Sequence, residues 1–194
     1  MRRATKDPNS KILEEELKYI VGNSTNNKRI AEILLSEQKK FCAYTDECIN
    51  RADAKDIEHF DPTLKGTPDD NYLNWFLVKH QWNNEKPRRW EDYQPILNPT
   101  AEDFEQRIIY DKGDYLAKDG DEQAKNLVKL LHLDDIELAE ERKQYIKRKR
   151  EEITAFGQDP ATFFSTLLSR DRCRVIYPRA IREEFKVDVL QMIE

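Results

Sequence analysis

The 194-residue chain is poor in the residues that identify several protein classes at a glance. It has three cysteines, Cys42, Cys48 and Cys173. An odd, small number with no secretory leader in the sequence argues against a disulfide framework, and reduced thiols are expected. No apolar run approaches the length that spans a bilayer, so no membrane association is expected. The first residues, MRRATKDPNSK, carry basic groups with no apolar stretch behind them, which does not fit a signal peptide, and a cytoplasmic protein is expected. The chain also lacks a basic excess: its formal net charge is −5. A protein that grips nucleic acid unaided usually shows one, because neutralising phosphates drives affinity. Any basic surface must be local, or a partner must supply part of the grip.

What remains is polar. Charged residues, at 37%, nearly equal apolar ones, at 38%, which predicts a small core under much solvated helix. Apolar spacing predicts a helix over 10–21, ended by Gly22 and the Asn/Ser/Thr cluster 23–27, and a second over 28–40 with Ile30, Ile33 and Leu34 inward. From Phe41 the texture shifts. The segments 41–50 and 52–60 read as two short strands of a ribbon, 61–70 as a Pro/Gly/Asp loop, and 83–91 as a short helix. Thr100 to Asp103 has capping-box spacing before Phe104. Residues 107–120 read as a hairpin turning at Lys112–Gly113. Residues 121–155 read as helix in two pieces, broken near His132–Asp134, and further helices follow Gly157–Pro160. Phe163, Phe164, Leu167 and Leu168 form an apolar stripe whose first reading is core packing. The run Lys147–Arg150 reads first as a solvated helix face.

Chemistry concentrates in one stretch. There are three histidines, and two of them, His59 and His80, fall within 41–86. Phosphodiester hydrolysis needs a group that takes a proton from water, which a neutral imidazole does well. It also needs a divalent cation to offset developing negative charge. Mg²⁺ prefers oxygen ligands and keeps several waters, so one carboxylate and one amide oxygen can suffice. Glu58 and His59 are adjacent, and on a regular strand they would face opposite ways. A bend before Phe60-Asp61-Pro62 is needed to bring both to one phosphate. His132 reads as a packing or capping residue.

The order FCAYT, IEHFDP, YLNW, HQWNNEK resembles the pattern of HNH (ββα-metal) endonucleases from about Gln38 to Trp90. The downstream text, with Leu97, Pro99, Gly113, Leu131, Leu133 and Arg142, resembles the HNH nuclease subunits of Septu-type and retron-associated anti-phage defence systems. This extends the resemblance over residues 35 to 146. It implies an α+β protein with a ββα-metal core in a mainly helical surround: an N-terminal helical segment 1–37, the nuclease core 38–95, a helical and hairpin extension 96–156, and a C-terminal helical segment 157–194. By position, it implies His59 as general base, Asn74 bracing the loop and orienting that base, Glu58 and Asn83 holding one Mg²⁺ or Mn²⁺, and Lys86 on the phosphate. Arg88 and Arg89 join Lys86 in a basic rim. Cys42 and His80 survive from two ligand pairs that hold zinc in many relatives, while Thr45 and Trp82 stand at the other two places. A structural zinc is therefore not expected, with Trp82 filling its space. The implied substrate is nucleic acid, DNA before RNA, and the implied partner is an ABC/SMC-like ATPase. Two other readings stay open: an RNA (tRNA)-cleaving effector with the same site, and a catalytically degenerate assembly subunit.

Overall fold

In the computed structural model, which describes residues 1–87 and 89–193, the first helix stops early. α1 covers only Lys11–Glu14, with the Ser10 hydroxyl accepting from Ile12 N at 3.1 Å. Glu16 turns to a positive φ of 50°, and Leu17 N then donates to Ile12 O at 2.9 Å. That six-to-one closure ends a helix whatever the apolar spacing beyond it. The Asn/Ser/Thr cluster begins the next helix instead of closing the first one. Asn23 caps α2, Ser24–Glu37, by accepting from Asn26 N at 3.1 Å. Ile30, Ile33 and Leu34 face inward as their spacing predicts.

Residues 41–50 form no strand. Phe41 and Cys48 make a single antiparallel bridge. The strand over the second segment, β1 (Lys55–His59), pairs instead with β2 (Trp75–Lys79), placing Glu58 opposite Phe76 and His59 opposite Trp75. β2 is buried through Val78, and the 41–50 segment, also largely buried, lies along its other side with Ala43 N donating to Leu77 O at 3.1 Å. Gln38, at the end of α2, works as a further rung: its Nε2 donates to Leu77 O at 2.8 Å and its Oε1 accepts from Leu77 N at 2.8 Å. α3, His80–Glu85, follows β2 without a break and packs on both strands. It starts before the expected position and ends well short of Glu91, because Pro87 forces Lys86 into extended backbone (ψ 126°).

Local signals hold better downstream. α4 is Phe104–Arg107, without the expected capping box: Asp103 precedes it with no side-chain cap, and Thr100 Oγ1 donates to Asn98 Oδ1 at 2.7 Å. β3 (Ile108–Asp111) and β4 (Asp114–Ala117) form the hairpin, turning at Lys112 and Gly113 with φ 47° and 104°. α5 (Glu122–Leu130) and α6 (Ile136–Phe156) are separated at His132–Asp134, and Gly157 closes α6 in the left-handed conformation. α7 is Pro160–Arg170 and α8 Pro178–Phe185. The molecule is thus α+β: mainly helical, with two small antiparallel sheets. No helix among the described residues is long and apolar enough to cross a membrane.

Two apolar clusters organise these elements. The first joins α2, the β1–β2 pair, α5 and the hairpin around Trp75, Leu77, Phe104 and Leu127. The second joins α6, α7 and α8 around Tyr145, Phe163, Phe164 and Ile181. The stripe of Phe163, Phe164 and Leu167 is buried core, while Leu168 packs against it partly covered. The hairpin is tied to α6 by Arg142, whose Nε donates to Gly113 O at 2.6 Å. One expectation fails outright. Cys48 and Cys173 form a disulfide across 125 residues, their Cα atoms 5.2 Å apart; Cys42 alone is a free, buried thiol. Tertiary docking of the α7–α8 connection onto the 42–48 loop brings them together. In the same place Tyr177 N donates to Asp46 O at 2.9 Å.

Candidate active site

β1 ends at His59, and the chain turns through Phe60–Asp61 into a 3-10 turn at Pro62–Leu64. The bend comes after His59, so Glu58 and His59 still alternate within β1, and the His59 ring packs toward Tyr19, Trp75 and Asp70. Glu58 and His59 both line a cleft of about 340 Å³, together with Ile57, Pro62, Lys65, Asn83, Lys86 and Pro87. Four of the residues singled out in the sequence thus border one opening, two at the strand end, one on α3 and one just after it, with the His59 ring itself covered by Tyr19, Trp75 and Asp70.

Glu58 is buried and its carboxylate is paired with the Lys86 ammonium. Lys86 also donates to the carbonyls of His59, at 3.2 Å, and Phe60, at 2.7 Å. Burial pushes the Glu58 pKa up and that of Lys86 down, while each charge pulls the other back. The expected phosphate-facing lysine is instead folded inward onto the expected metal-binding acid, because a buried carboxylate without a cation is costly.

His59 is 4% exposed. The Tyr19 ring meets it edge-on at 4.5 Å, and Trp75 lies on another side. Its Nε2 faces Asp70 Oδ2 at 3.1 Å, off the line of a regular hydrogen bond. Burial lowers the imidazole pKa to about 4 against the pull of Asp70, so the ring is neutral at neutral pH. Asn74 does not line the cleft. Its Oδ1 accepts from Asp61 N at 2.8 Å, and its Nδ2 donates to Asp61 O at 3.0 Å and Asp70 Oδ1 at 3.2 Å. It spans the loop between the two strands and reaches His59 only through Asp70. Asp70 is further fixed by the Trp75 indole N–H at 2.7 Å.

On α3, Asn83 Nδ2 donates to Asp56 Oδ2 at 2.8 Å, and the same oxygen meets His80 Nδ1 at 2.7 Å. Asn84 Nδ2 lies 2.8 Å from His80 Nε2. His80 and Cys42 therefore keep separate company: His80 is half exposed beside Asp56, while the Cys42 thiol is buried and pushed up in pKa by that burial. Thr45 and Trp82 instead converge on Glu47. Thr45 Oγ1 donates at 2.8 Å and Trp82 Nε1 at 3.0 Å to Oε2, and Lys79 Nζ lies 2.9 Å from Oε1. A carboxylate gathers these positions by hydrogen bonds. Among the described residues no three His, Cys, Asp or Glu side chains gather in metal-holding geometry. Arg89 is exposed and does not line the cleft; Arg88 lies outside the described residues.

Asp56, Asp70, Glu47 and Tyr19 were not singled out by sequence reasoning. Only Asp56 left a local signal: two residues before Glu58 on a strand, it shares that residue's face. Compared with family models, curated proteins and solved structures, the chain matches none of them.

Proposed function

We propose that the chain is a divalent-metal-dependent nuclease of the HNH type, with β1, β2 and α3 as its ββα-metal core. The observation that carries this reading is the meeting of Glu58, His59, Asn83 and Lys86 in one cleft, from positions up to 28 apart in sequence. The donor set suits Mg²⁺ or Mn²⁺. Glu58 offers a carboxylate, and Asn83 an amide oxygen that has no partner among the described residues; hard cations take oxygen ligands and keep waters on the other positions. When bound, such an ion would supply positive charge to offset the negative charge that builds on the pentacoordinate phosphorus centre and the departing oxygen. The chain's own residues do the rest. His59, neutral at working pH, takes the proton of the attacking water as the new P–O bond forms and the bond to the leaving oxygen breaks. Asp70, facing Nε2, favours the tautomer with its proton there and leaves Nδ1 to accept. Asn74 holds the loop that carries Asp70. Lys86 must yield Glu58 to the ion, and its ammonium is then free for the phosphate.

DNA is the proposed substrate. An ABC/SMC-like ATPase is the proposed partner, since the acidic chain lacks the charge to hold nucleic acid by itself. The alternative, a non-catalytic assembly subunit, is favoured by one observation: His59 is sealed under Tyr19. Plasmid and tRNA cleavage with Mg²⁺ or Mn²⁺, with the ATPase co-expressed, separates the two. We expect plasmid nicking that His59→Ala abolishes, by at least 10²-fold as for loss of a general base. A complex inactive on both substrates overturns the nuclease reading, and activity that survives His59→Ala overturns His59 as its general base.

A further inference from the structure

We infer that Asp56 is a positioning residue that fixes which end of the Asn83 amide faces the cleft; this rests on the metal-site reading above. An ionised carboxylate can only accept hydrogen bonds, and an amide has a donor end and an acceptor end. Asp56 Oδ2 takes Asn83 Nδ2 at 2.8 Å, so the amide has its NH₂ committed to β1 and its oxygen turned away. Without that constraint the two ends differ little in shape, and the NH₂ could face the cleft and repel a cation.

The arrangement is specified from several sides. Asp56 and Glu58 stand two apart on β1 and share a face, so the carboxylate that orients Asn83 sits beside the carboxylate proposed to share the ion with it. The same Asp56 oxygen accepts from His80 Nδ1 at 2.7 Å, and His80 Nε2 is left as acceptor for Asn84 Nδ2 at 2.8 Å. Donors and acceptors match along the whole row from Asn83 to Asn84. α3 has no side-chain cap at its start, and Asp56 ties its first turn to β1 beside the hydrogen bond from His80 N to Ala54 O at 3.0 Å. Anchoring and orienting both use Asp56 as an acceptor, so the two roles are separated at residue 83, where an anchor matters whatever the side chain and an orienting partner matters only to an amide.

The test is Mn²⁺ binding to the full chain, read as free Mn²⁺ by electron paramagnetic resonance, with a thermal melt of each variant. Asp56→Leu removes the acceptor, and loss of an outer partner of a metal ligand typically weakens affinity by about 10–100-fold; that is the expected loss. Asp56→Asn keeps an oxygen that can accept from both Asn83 and His80, and it is expected to bind near the wild-type affinity. In an Asn83→Asp background, residue 83 has oxygen at both ends and needs no orienting, so Asp56→Leu is expected to cost no affinity there. If Asp56→Leu does not fold, Asp56→Ser replaces it. A folded Asp56→Leu chain that binds Mn²⁺ as tightly as wild type overturns the inference, and so does an equal loss in both backgrounds. Wild-type chain that binds no Mn²⁺ overturns the metal-site reading itself.

Discussion

At the scale of single residues, burial sets the charge states in the cleft. His59 has its pKa lowered to about 4 from an ordinary 6.5, first by desolvation, with Asp70 pulling the other way. The unfolded chain therefore takes this proton before the folded one does as pH falls. The stability from a neutral, buried His59 is complete above pH 6.5 and is lost progressively down to about 4. The full effect is at most about 3 kcal/mol. Urea unfolding at pH 7 and pH 4.5 should show a wild-type loss that exceeds the His59→Asn loss by about 2.5 kcal/mol. Equal losses would show that another group drives the acid sensitivity. Glu58 runs in the opposite sense, since its pKa is raised, and the comparison with His59→Asn cancels its contribution. Residue roles of this kind are only partly legible in sequence. Glu58, His59 and Asn83 stand in a recognisable order, but that Lys86 turns inward depends on Glu58 being buried, and burial is a tertiary outcome.

Among the elements, those specified by short-range chemistry were readable and those specified by pairing partners were not. The β3–β4 turn announces itself in Lys112–Gly113, and the α5–α6 break and the Gly157 stop are equally local. The β1–β2 pairing joins residues 16 to 24 apart, and nothing in 41–50 says that it will be displaced by 75–79. The helix over 10–21 fails for another reason: the turn at Glu16 satisfies the helix-end carbonyls sooner than the apolar spacing suggests. Gly113 makes the strength of a local requirement measurable. Its φ is 104°, and an added Cβ would lie 2.5 Å from Lys143 Cγ and 3.2 Å from Ala139 O. Gly113→Ala is expected to cost about 1–3 kcal/mol in urea unfolding. The Lys143→Ala change in the same chain should return part of this by removing the flexible obstacle, while the backbone share persists. Full recovery would mean that the conformation itself carries no strain.

For the whole molecule, the Cys48–Cys173 link connects the loop beside the β1–β2 sheet to the turn between α7 and α8. It closes a loop of 125 residues, and in the chain-entropy account a closure of that length contributes about 4–5 kcal/mol by restricting the unfolded chain. Adding reductant should lower the urea midpoint of the wild type and leave a Cys48→Ser/Cys173→Ser chain unchanged. A wild-type midpoint indifferent to reductant would show that the link adds nothing. A contact separated by most of the chain leaves no trace in sequence spacing, which is why reduced thiols were the natural expectation there. The Gln38 rung has a reach of the same order. By occupying both backbone groups of Leu77, with Ala43 N adding a second donor to its carbonyl at 3.1 Å, the Gln38 side chain helps to close the flank of β2 at its centre. A strand from a neighbouring molecule finds no free ladder there to extend. The side chain thus helps to guard the sheet against edge-to-edge pairing with a second copy.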